Sequence, residues 1–300
     1  MPDSQKLTIP QITELARGGK RLAMVTAYDA SSARLADEAG VEMILVGDSA
    51  AMTILGHEST LPVTMDEMLI LTRAVTRVTR RAVVVADMPF GAYQPGEDDA
   101  LRNAIRFVKE SGADAVKLEG AGRTLTRVSS ILDAGIPVMG HAGMTPQSAR
   151  LAGGYKTRGR TAADARRIYD EARALERVGC FAVVLEAIPA VVAADITNAL
   201  KVPTIGIGAG GATDGQVLVW HDLLGLTSGH VPRFVKRYAD LNQTILHALQ
   251  AYIADVKSSA FPDESHTYGM PEEELARFEA QLTDARPGAD IVKPSRSRLR

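Results

Sequence analysis

Apolar residues gather along this chain into short continuous runs, each closed by Gly, Pro or an acid. The runs cover residues 22–29, 43–49, 82–90, 115–120, 137–143, 182–189 and 203–210. A strand with one wet face alternates apolar and polar positions, whereas an unbroken apolar run marks a strand covered on both faces, as in a parallel sheet. Between most of these runs lie mixed segments of helical length: 31–39, 65–79, 98–111, 124–134, 162–178 and 191–200. Gly40, Gly112, Gly135 and Gly179 each stand just past such a segment, where a helix that turns back needs a left-handed residue. With residues 216–222 as a candidate eighth strand, the strand–helix unit repeats over the ~200 residues usual for a TIM barrel. A doubly wound open sheet is the competitor, but it commonly carries a Gly-rich phosphate fingerprint after its first strand. Here that strand ends Thr26-Ala27-Tyr28-Asp29, without one. The predicted fold is therefore an α/β, (β/α)8 TIM barrel with additional C-terminal helices.

The predicted barrel domain runs over residues 1–265, including an N-terminal lead-in and one or two outer helices within 232–255. Residues 266–300 read as a polar, partly mobile extension ending in the basic run Arg296-Ser297-Arg298-Leu299-Arg300.

Composition narrows the function. The chain has 300 residues, 46% hydrophobic and 23% charged, which excludes a disordered protein. Its 34 basic and 36 acidic residues leave a formal net charge of −2, so nothing global points to a nucleic-acid partner. Apolar runs such as 82–86 are too short for a membrane span. Residues 1–11 show no apolar secretory core, and the single cysteine, Cys180, permits neither an internal disulfide nor a thiolate zinc cluster. A reducing, cytoplasmic compartment is expected. The 6 histidines are scattered, so a metal here would have to sit on oxygen.

The informative polar residues fall at strand ends, where barrels of this type place their active sites. Asp48 and Ser49 close the second run, Asp87 the third, Lys117 and Glu119 the fourth, His141 the fifth and Glu186 the sixth. Five consecutive strands thus deliver ionisable groups to one rim. Crowded carboxylates repel unless a cation or a shared proton joins them. Asp48, Asp87 and Glu119 come from neighbouring strands, and their hard oxygens suit Mg²⁺, which keeps waters that an α-keto acid can displace. A salt-bridge network around Lys117 explains the same residues without a metal.

Lys117 and Glu119, two apart in a strand, face the same side. The ammonium either stabilises a developing enolate or simply neutralises Glu119. Glu186 follows Val183-Val184-Leu185, an apolar setting expected to raise its pKa and suit it to proton abstraction. His141 is read as a substrate contact or a strand-end cap, and Ser49 as a hydroxyl or N–H for a carboxylate. The Gly-rich stretch 206–211 fits an anion cradle or a tight turn. Residues 153–160, Gly-rich and cationic, fit a lid over an anion or an ordinary loop. Cys180 reads as an inert core thiol, and His221-Asp222 as a packing pair at the eighth strand.

Taken in order, the motifs resemble one family closely. Val46-Gly47-Asp48-Ser49, Gly56-His57-Glu58-Ser59-Thr60-Leu61-Pro62-Val63-Thr64 and Ala86-Asp87-Met88-Pro89-Phe90 are similar to the ketopantoate hydroxymethyltransferase (3-methyl-2-oxobutanoate hydroxymethyltransferase) family. So are Val116-Lys117-Leu118-Glu119-Gly120, Gly140-His141-Ala142-Gly143-Met144-Thr145-Pro146-Gln147 and Gly154-Tyr155-Lys156-Thr157-Arg158-Gly159-Arg160. The likeness continues through Leu185-Glu186-Ala187-Ile188-Pro189, Gly206-Ile207-Gly208-Ala209-Gly210 and Asp214-Gly215-Gln216-Val217-Leu218-Val219. It implies a TIM barrel, a homo-oligomer (typically a decamer), Mg²⁺, and 5,10-methylenetetrahydrofolate as one-carbon donor to the keto acid. By the same resemblance Asp48 and Asp87 are direct metal ligands and Glu119 supports the metal site. The resemblance gives Ser49, Asp87 and Lys117 as contacts to the keto acid and Glu186 as the proton acceptor; Asp48 and His141 are expected to bind substrate with them.

Ala50-Ala51, Ala142 and Gly211 depart from residues common in the family and bear on pocket shape rather than on the chemical groups. The activity so implied is formation of 2-dehydropantoate from 3-methyl-2-oxobutanoate, the first committed step of pantothenate biosynthesis. The competing enzyme class is a Mg²⁺-dependent carbon–carbon lyase of the isocitrate lyase and phosphoenolpyruvate mutase type. Its common Lys-Cys-Gly-His loop is absent here. A non-catalytic keto-acid sensor is the competing class outside enzymes.

Overall fold

The computed structural model describes residues 5–149, 153–227, 229 and 231–284. In chain order the first part holds α1 (Ile9–Arg17), β1 (Leu22–Thr26), α2 (Ala30–Ala39), β2 (Met43–Val46), α3 (Ala50–Thr53), α4 (Met65–Thr76) and β3 (Val83–Asp87). There follow α5 (Glu97–Ser111), β4 (Ala115–Lys117), α6 (Thr124–Asp133), β5 (Val138–Gly143), α7 (Ala162–Val178), β6 (Ala182–Glu186) and α8 (Ala190–Ala199). The barrel ends with β7 (Thr204–Ile207), β8 (Gly215–Leu218) and α9 (Trp220–Leu223). The eight strands form one closed parallel barrel in sequence order, with β1 pairing β8 from Leu22 opposite Gly215 to Val25 opposite Leu218. The fold is the expected (β/α)8 barrel.

Every strand residue has a neighbour on both sides, so the apolar runs divide by parity. Met43 and Leu45 of β2 and Val83 and Val85 of β3 point into the barrel. Ile44, Val46, Val84 and Ala86 point outward onto the helices. Ile12 of α1, an element the apolar runs did not announce, is fully buried and belongs to the inner cluster with Leu22, Met24 and Met43. The expected glycine turns are present: Gly40, Gly112 and Gly179 cap α2, α5 and α7 with positive φ.

Two expectations shift at the C-terminal side. The eighth strand is Gly215–Leu218 and not 216–222, because the chain turns at Val219 into α9, whose Trp220 N–H donates to Thr26 Oγ1 at 2.9 Å. His221 and Asp222 therefore lie on α9. Residues 232–240 are not helical; the helix expected there is α10 (Leu241–Ser258).

By internal contacts the chain divides into a unit to Asp240 and a second from Leu241. The second holds α10, a short 3-10 turn at Glu264–His266 and α11 (Glu272–Asp284). The basic run Arg296–Arg300 lies outside the described residues. Among the described residues no helix is long and apolar enough to cross a membrane.

Candidate active site

The rim chemistry is a continuation of the inner rows. Val83 and Val85 face inward on β3, Ala115 on β4, Met139 on β5 and Ala182 and Val184 on β6. Stepping two residues toward the C-terminal end of each row reaches Asp87, then Lys117 and Glu119, then His141, then Glu186. Asp48 arrives differently. The chain leaves β2 at Val46, and a Cβ at Gly47 would lie 2.8 Å from Ser49 Oγ, so a side chain there would displace that hydroxyl.

Lys117 Nζ donates to both oxygens of Asp87, at 2.7 and 2.8 Å, and Asp87 Oδ2 accepts the Asp48 N–H at 3.3 Å. Asp48, Asp87, Lys117 and Glu119 are each at most 5% exposed. Burial, and then the facing Asp87 carboxylate, push the Asp48 carboxyl up to about 7. Burial likewise holds Glu119 well above the usual carboxylate range. For Lys117 burial works against the charge, but Asp87, Glu119 and Asp48 more than offset it, so the ammonium stays protonated above its ordinary range. The partner that neutralises Lys117 is thus Asp87, and the simple Lys117–Glu119 pairing is not found.

Glu119 is engaged elsewhere. Its Oε2 accepts the Gln147 N–H at 3.0 Å, while Oε1 has no hydrogen bond and lies 3.7 Å from His141 Nδ1. Among the described residues no group of three or more His, Cys, Asp and Glu side chains is arranged to hold a metal. The two adjoining acids are Asp48 and Asp87. A hard divalent cation bound through two carboxylates, with water and ligand oxygens completing its shell, fits such a pair. It also fits the elevated Asp48 carboxyl, which marks negative charge that the protein alone leaves incompletely balanced.

Glu186 sits across the rim. Its side chain keeps 14% exposure, and Oε2 lies 3.3 Å from His141 Nε2. Of the apolar residues before it, Val184 belongs to the inward row that Glu186 continues, while Val183 and Leu185 face the outer cluster, and the carboxylate itself is partly exposed. His141 stands between Glu119 and Glu186, with neither ring nitrogen hydrogen-bonded. Burial, followed by the Lys117 charge, lowers its pKa, so the ring is neutral at pH 7. It does not serve as a strand-end cap. Ser49 Oγ meets the buried Tyr28 hydroxyl at 2.8 Å, beside Asp48. Burial raises that phenol to about 12, so it remains a neutral hydrogen-bonding group.

Among the weaker candidates, the glycines of 206–211 and Cys180 have packing roles. In the 206–211 stretch a Cβ at Gly208 would lie 2.7 Å from the Phe234 ring, and one at Gly210 2.4 Å from Ala190 Cβ. Close approach accounts for these glycines. In the 153–160 loop Arg158 is paired with Asp164, at 2.9 Å, and its N–H donates to the Ala187 carbonyl. Tyr155 is half exposed, and burial first, then Asp48, Glu119 and Glu186, raise its pKa. Burial pushes the Cys180 thiol up to about 12, as an inert core position requires. The His221 ring lies 5.7 Å from the Tyr28 ring, centroid to centroid.

Two buried site residues went unassigned in the sequence reading. Gln147, in a 3-10 turn at Pro146–Ser148 after β5, donates from Nε2 to Asp48 Oδ2 at 3.0 Å and to the Met88 carbonyl at 2.9 Å. Tyr93 donates to Gln147 Oε1 at 2.7 Å. Gln147 stands at the end of the motif beginning Gly140-His141, but uncharged side chains on loops carry no electrostatic signal in one sequence.

Comparisons with known proteins bear on the family and the fold. Residues 6–264 match the family model described as ketopantoate hydroxymethyltransferase. A 3-methyl-2-oxobutanoate hydroxymethyltransferase of Carboxydothermus hydrogenoformans is 51% identical over 273 residues, covering 91% of this chain and 99% of the relative. One from Oleidesulfovibrio alaskensis is 53% identical, covering 90% and 93%. Among solved structures, phosphonopyruvate hydrolase in complex with oxalate and Mg²⁺ superposes with a TM-score of 0.57 at 13% identity, covering 93% of this chain and 99% of that one. A 2,3-dimethylmalate lyase of the phosphoenolpyruvate mutase and isocitrate lyase superfamily gives 0.55 at 15% identity, covering 93% and 98%. At those identities the likeness is one of fold. The sequence matches decide more: this chain is an enzyme and belongs to the ketopantoate hydroxymethyltransferase family.

Proposed function

We propose that the chain catalyses Mg²⁺-dependent transfer of a hydroxymethyl group from 5,10-methylenetetrahydrofolate to 3-methyl-2-oxobutanoate, giving 2-dehydropantoate. The observation that carries this reading is a buried acid pair, Asp48 and Asp87, beside a fixed ammonium and facing a partly exposed glutamate across one rim. Asp48 and Asp87 would hold Mg²⁺ in this reading, with Glu119 supporting the site. Bound there, the ion supplies Lewis-acid polarisation of a chelating keto acid.

The chain's own residues do the rest. Ser49 and His141 line the keto acid. Glu186 takes the proton from C3, and its position next to a neutral His141 leaves it free to accept. Lys117 stays protonated, so it stabilises the enolate as a hydrogen-bond donor and positive charge rather than as an acid. Water breaks both carbon–nitrogen bonds of the donor and frees the one-carbon unit as formaldehyde, its two protons going to the folate nitrogens; the C3 carbanion adds to that carbon, and the resulting alkoxide takes the proton that Glu186 holds. A cytoplasmic setting and a homo-oligomer of decamer size are proposed with it on the family likeness.

The test is proton NMR of 3-methyl-2-oxobutanoate in D₂O with the enzyme, with and without Mg²⁺ and without folate. Loss of the C3–H signal with Mg²⁺, slowed about 10²- to 10⁴-fold in Glu186→Gln, is the expected outcome. Normal exchange in that variant removes Glu186 from the role. Folate-independent cleavage of 2-methylisocitrate would instead place the chain among the lyases, a reading the relatives at 51% and 53% identity weigh against.

A further inference from the structure

The Gln147 side chain is buried, 5% exposed, and makes four hydrogen bonds. Its orientation is determined by chemistry. One end of the amide faces two groups that only accept, the Asp48 carboxylate and the Met88 carbonyl, so that end is the NH₂ donor. The other end faces the Tyr93 hydroxyl at 2.7 Å and the Gln94 Nε2 at 3.2 Å, both able to donate, so that end is the oxygen. A flipped amide would set oxygen against a carboxylate and a carbonyl. Meanwhile the Gln147 backbone N–H donates to Glu119 Oε2. One residue from the loop after β5 therefore fastens Asp48 after β2, the chain after β3 and Glu119 after β4.

We propose that Gln147 is a positioning residue that sets the Asp48 carboxylate for metal binding: by holding Oδ2 it fixes the rotation of the group and leaves Oδ1 to the ion. This rests on the reading of Asp48 as a metal ligand. Tyr93 extends the device, because its hydroxyl anchors the amide oxygen and accepts the Glu119 N–H at 3.3 Å. Groups that orient a metal's ligands typically change metal affinity 10- to 100-fold when removed.

The experiment is a Mn²⁺ titration of the full-length protein, followed by electron paramagnetic resonance of the free ion, on wild type, Gln147→Met, Tyr93→Phe and Asp48→Ala. Methionine keeps the volume and loses the donor. Gln147→Met is expected to weaken Mn²⁺ binding about 10- to 100-fold. Its C3–H exchange should fall at low Mn²⁺ and recover when the ion is raised to saturation, which a packing defect would not produce. Tyr93→Phe, with the amide intact but unanchored, should weaken binding in the same direction by a smaller factor. Affinity within twofold of wild type in Gln147→Met, whatever its melting temperature, overturns the proposal; should that variant not fold, Tyr93→Phe decides by the same measure. Undiminished affinity in Asp48→Ala overturns the metal reading itself and the inference with it, whereas loss there alone, with Gln147→Met unchanged, overturns the inference only.

Discussion

Carboxylates crowd both mouths of this barrel and are treated in opposite ways. At the N-terminal ends of the strands, Asp37 accepts the N–H groups of Arg80, Arg81 and Ala82, Asp114 accepts that of Val84 and pairs with Lys6, and Asp214 accepts from Thr204 N and Oγ1. Glu42 takes the N–H of Ala23. These acids are half-buried, and each ties a loop or helix end to amides at or just before the start of a strand. At the opposite mouth Asp48, Asp87 and Glu119 are buried against one another around a single ammonium, and Glu119 Oε1 and both His141 nitrogens lack hydrogen bonds. The lower acids accept mainly from backbone amides; the upper ones accept from side chains as well, and Glu119 Oε1 is left without a partner, where the proposed function brings in groups from outside the chain. Stability accounts for one mouth, and chemistry for the other.

Substitutions can break that contrast. The largest effect is expected from Asp87→Ala. It strips the buried Lys117 of its partner, at a cost of about 3–5 kcal/mol, and should reduce Mg²⁺ affinity beyond calorimetric detection. A smaller loss of stability than at any lower-mouth acid would erase the distinction. Next comes Asp37→Ala, which frees three amides that water can reach in part. Its cost is about 1 kcal/mol per buried bond lost, read as a fall of a few degrees in melting temperature, with kcat and metal affinity unchanged. A metal-affinity change there would mean that the two mouths are not separate.

A further effect sharpens the contrast through pH. Folding moves the Asp48 carboxyl from 3.8 to about 7. Between those values the folded protein holds a proton that the unfolded chain has released, so metal-free stability falls as pH rises from about 4 to about 7. Melting temperatures of wild type without metal should show that slope, and Asp48→Asn should flatten it. An identical slope in both assigns it to other groups.

How far the sequence carried depends on what kind of interaction places a residue. Position at strand ends marks Asp87, Lys117, Glu119, His141 and Glu186 for one rim in the sequence itself, and the parity of the inward rows is the physical reason they meet there. The same runs foretold seven strands to within a few residues, and α7 to the residue. They overshot at β1, where 22–29 shrinks to Leu22–Thr26 because Asp29 leaves the strand to cap α2, accepting from Ser31 and Ser32 N–H. They missed Gln147 and Tyr93, whose role is made of contacts between loops 54 residues apart. The pairing of Lys117 with Asp87 was also out of reach, since register across β3 and β4, which sets those two opposite, is a property of the closed sheet.

The amide after β5 has a consequence for how such an enzyme is assembled. A fragment ending at α6 would carry Asp48, Asp87, Lys117 and Glu119 yet lack the side chain that bonds Asp48 and the main chain that bonds Glu119. Reconstituting a half-barrel would thus bring back the acids without their alignment. The reactive mouth emerges only once the ring passes its midpoint, so chain synthesis or circular permutation that delays the fifth stave delays the site as a whole.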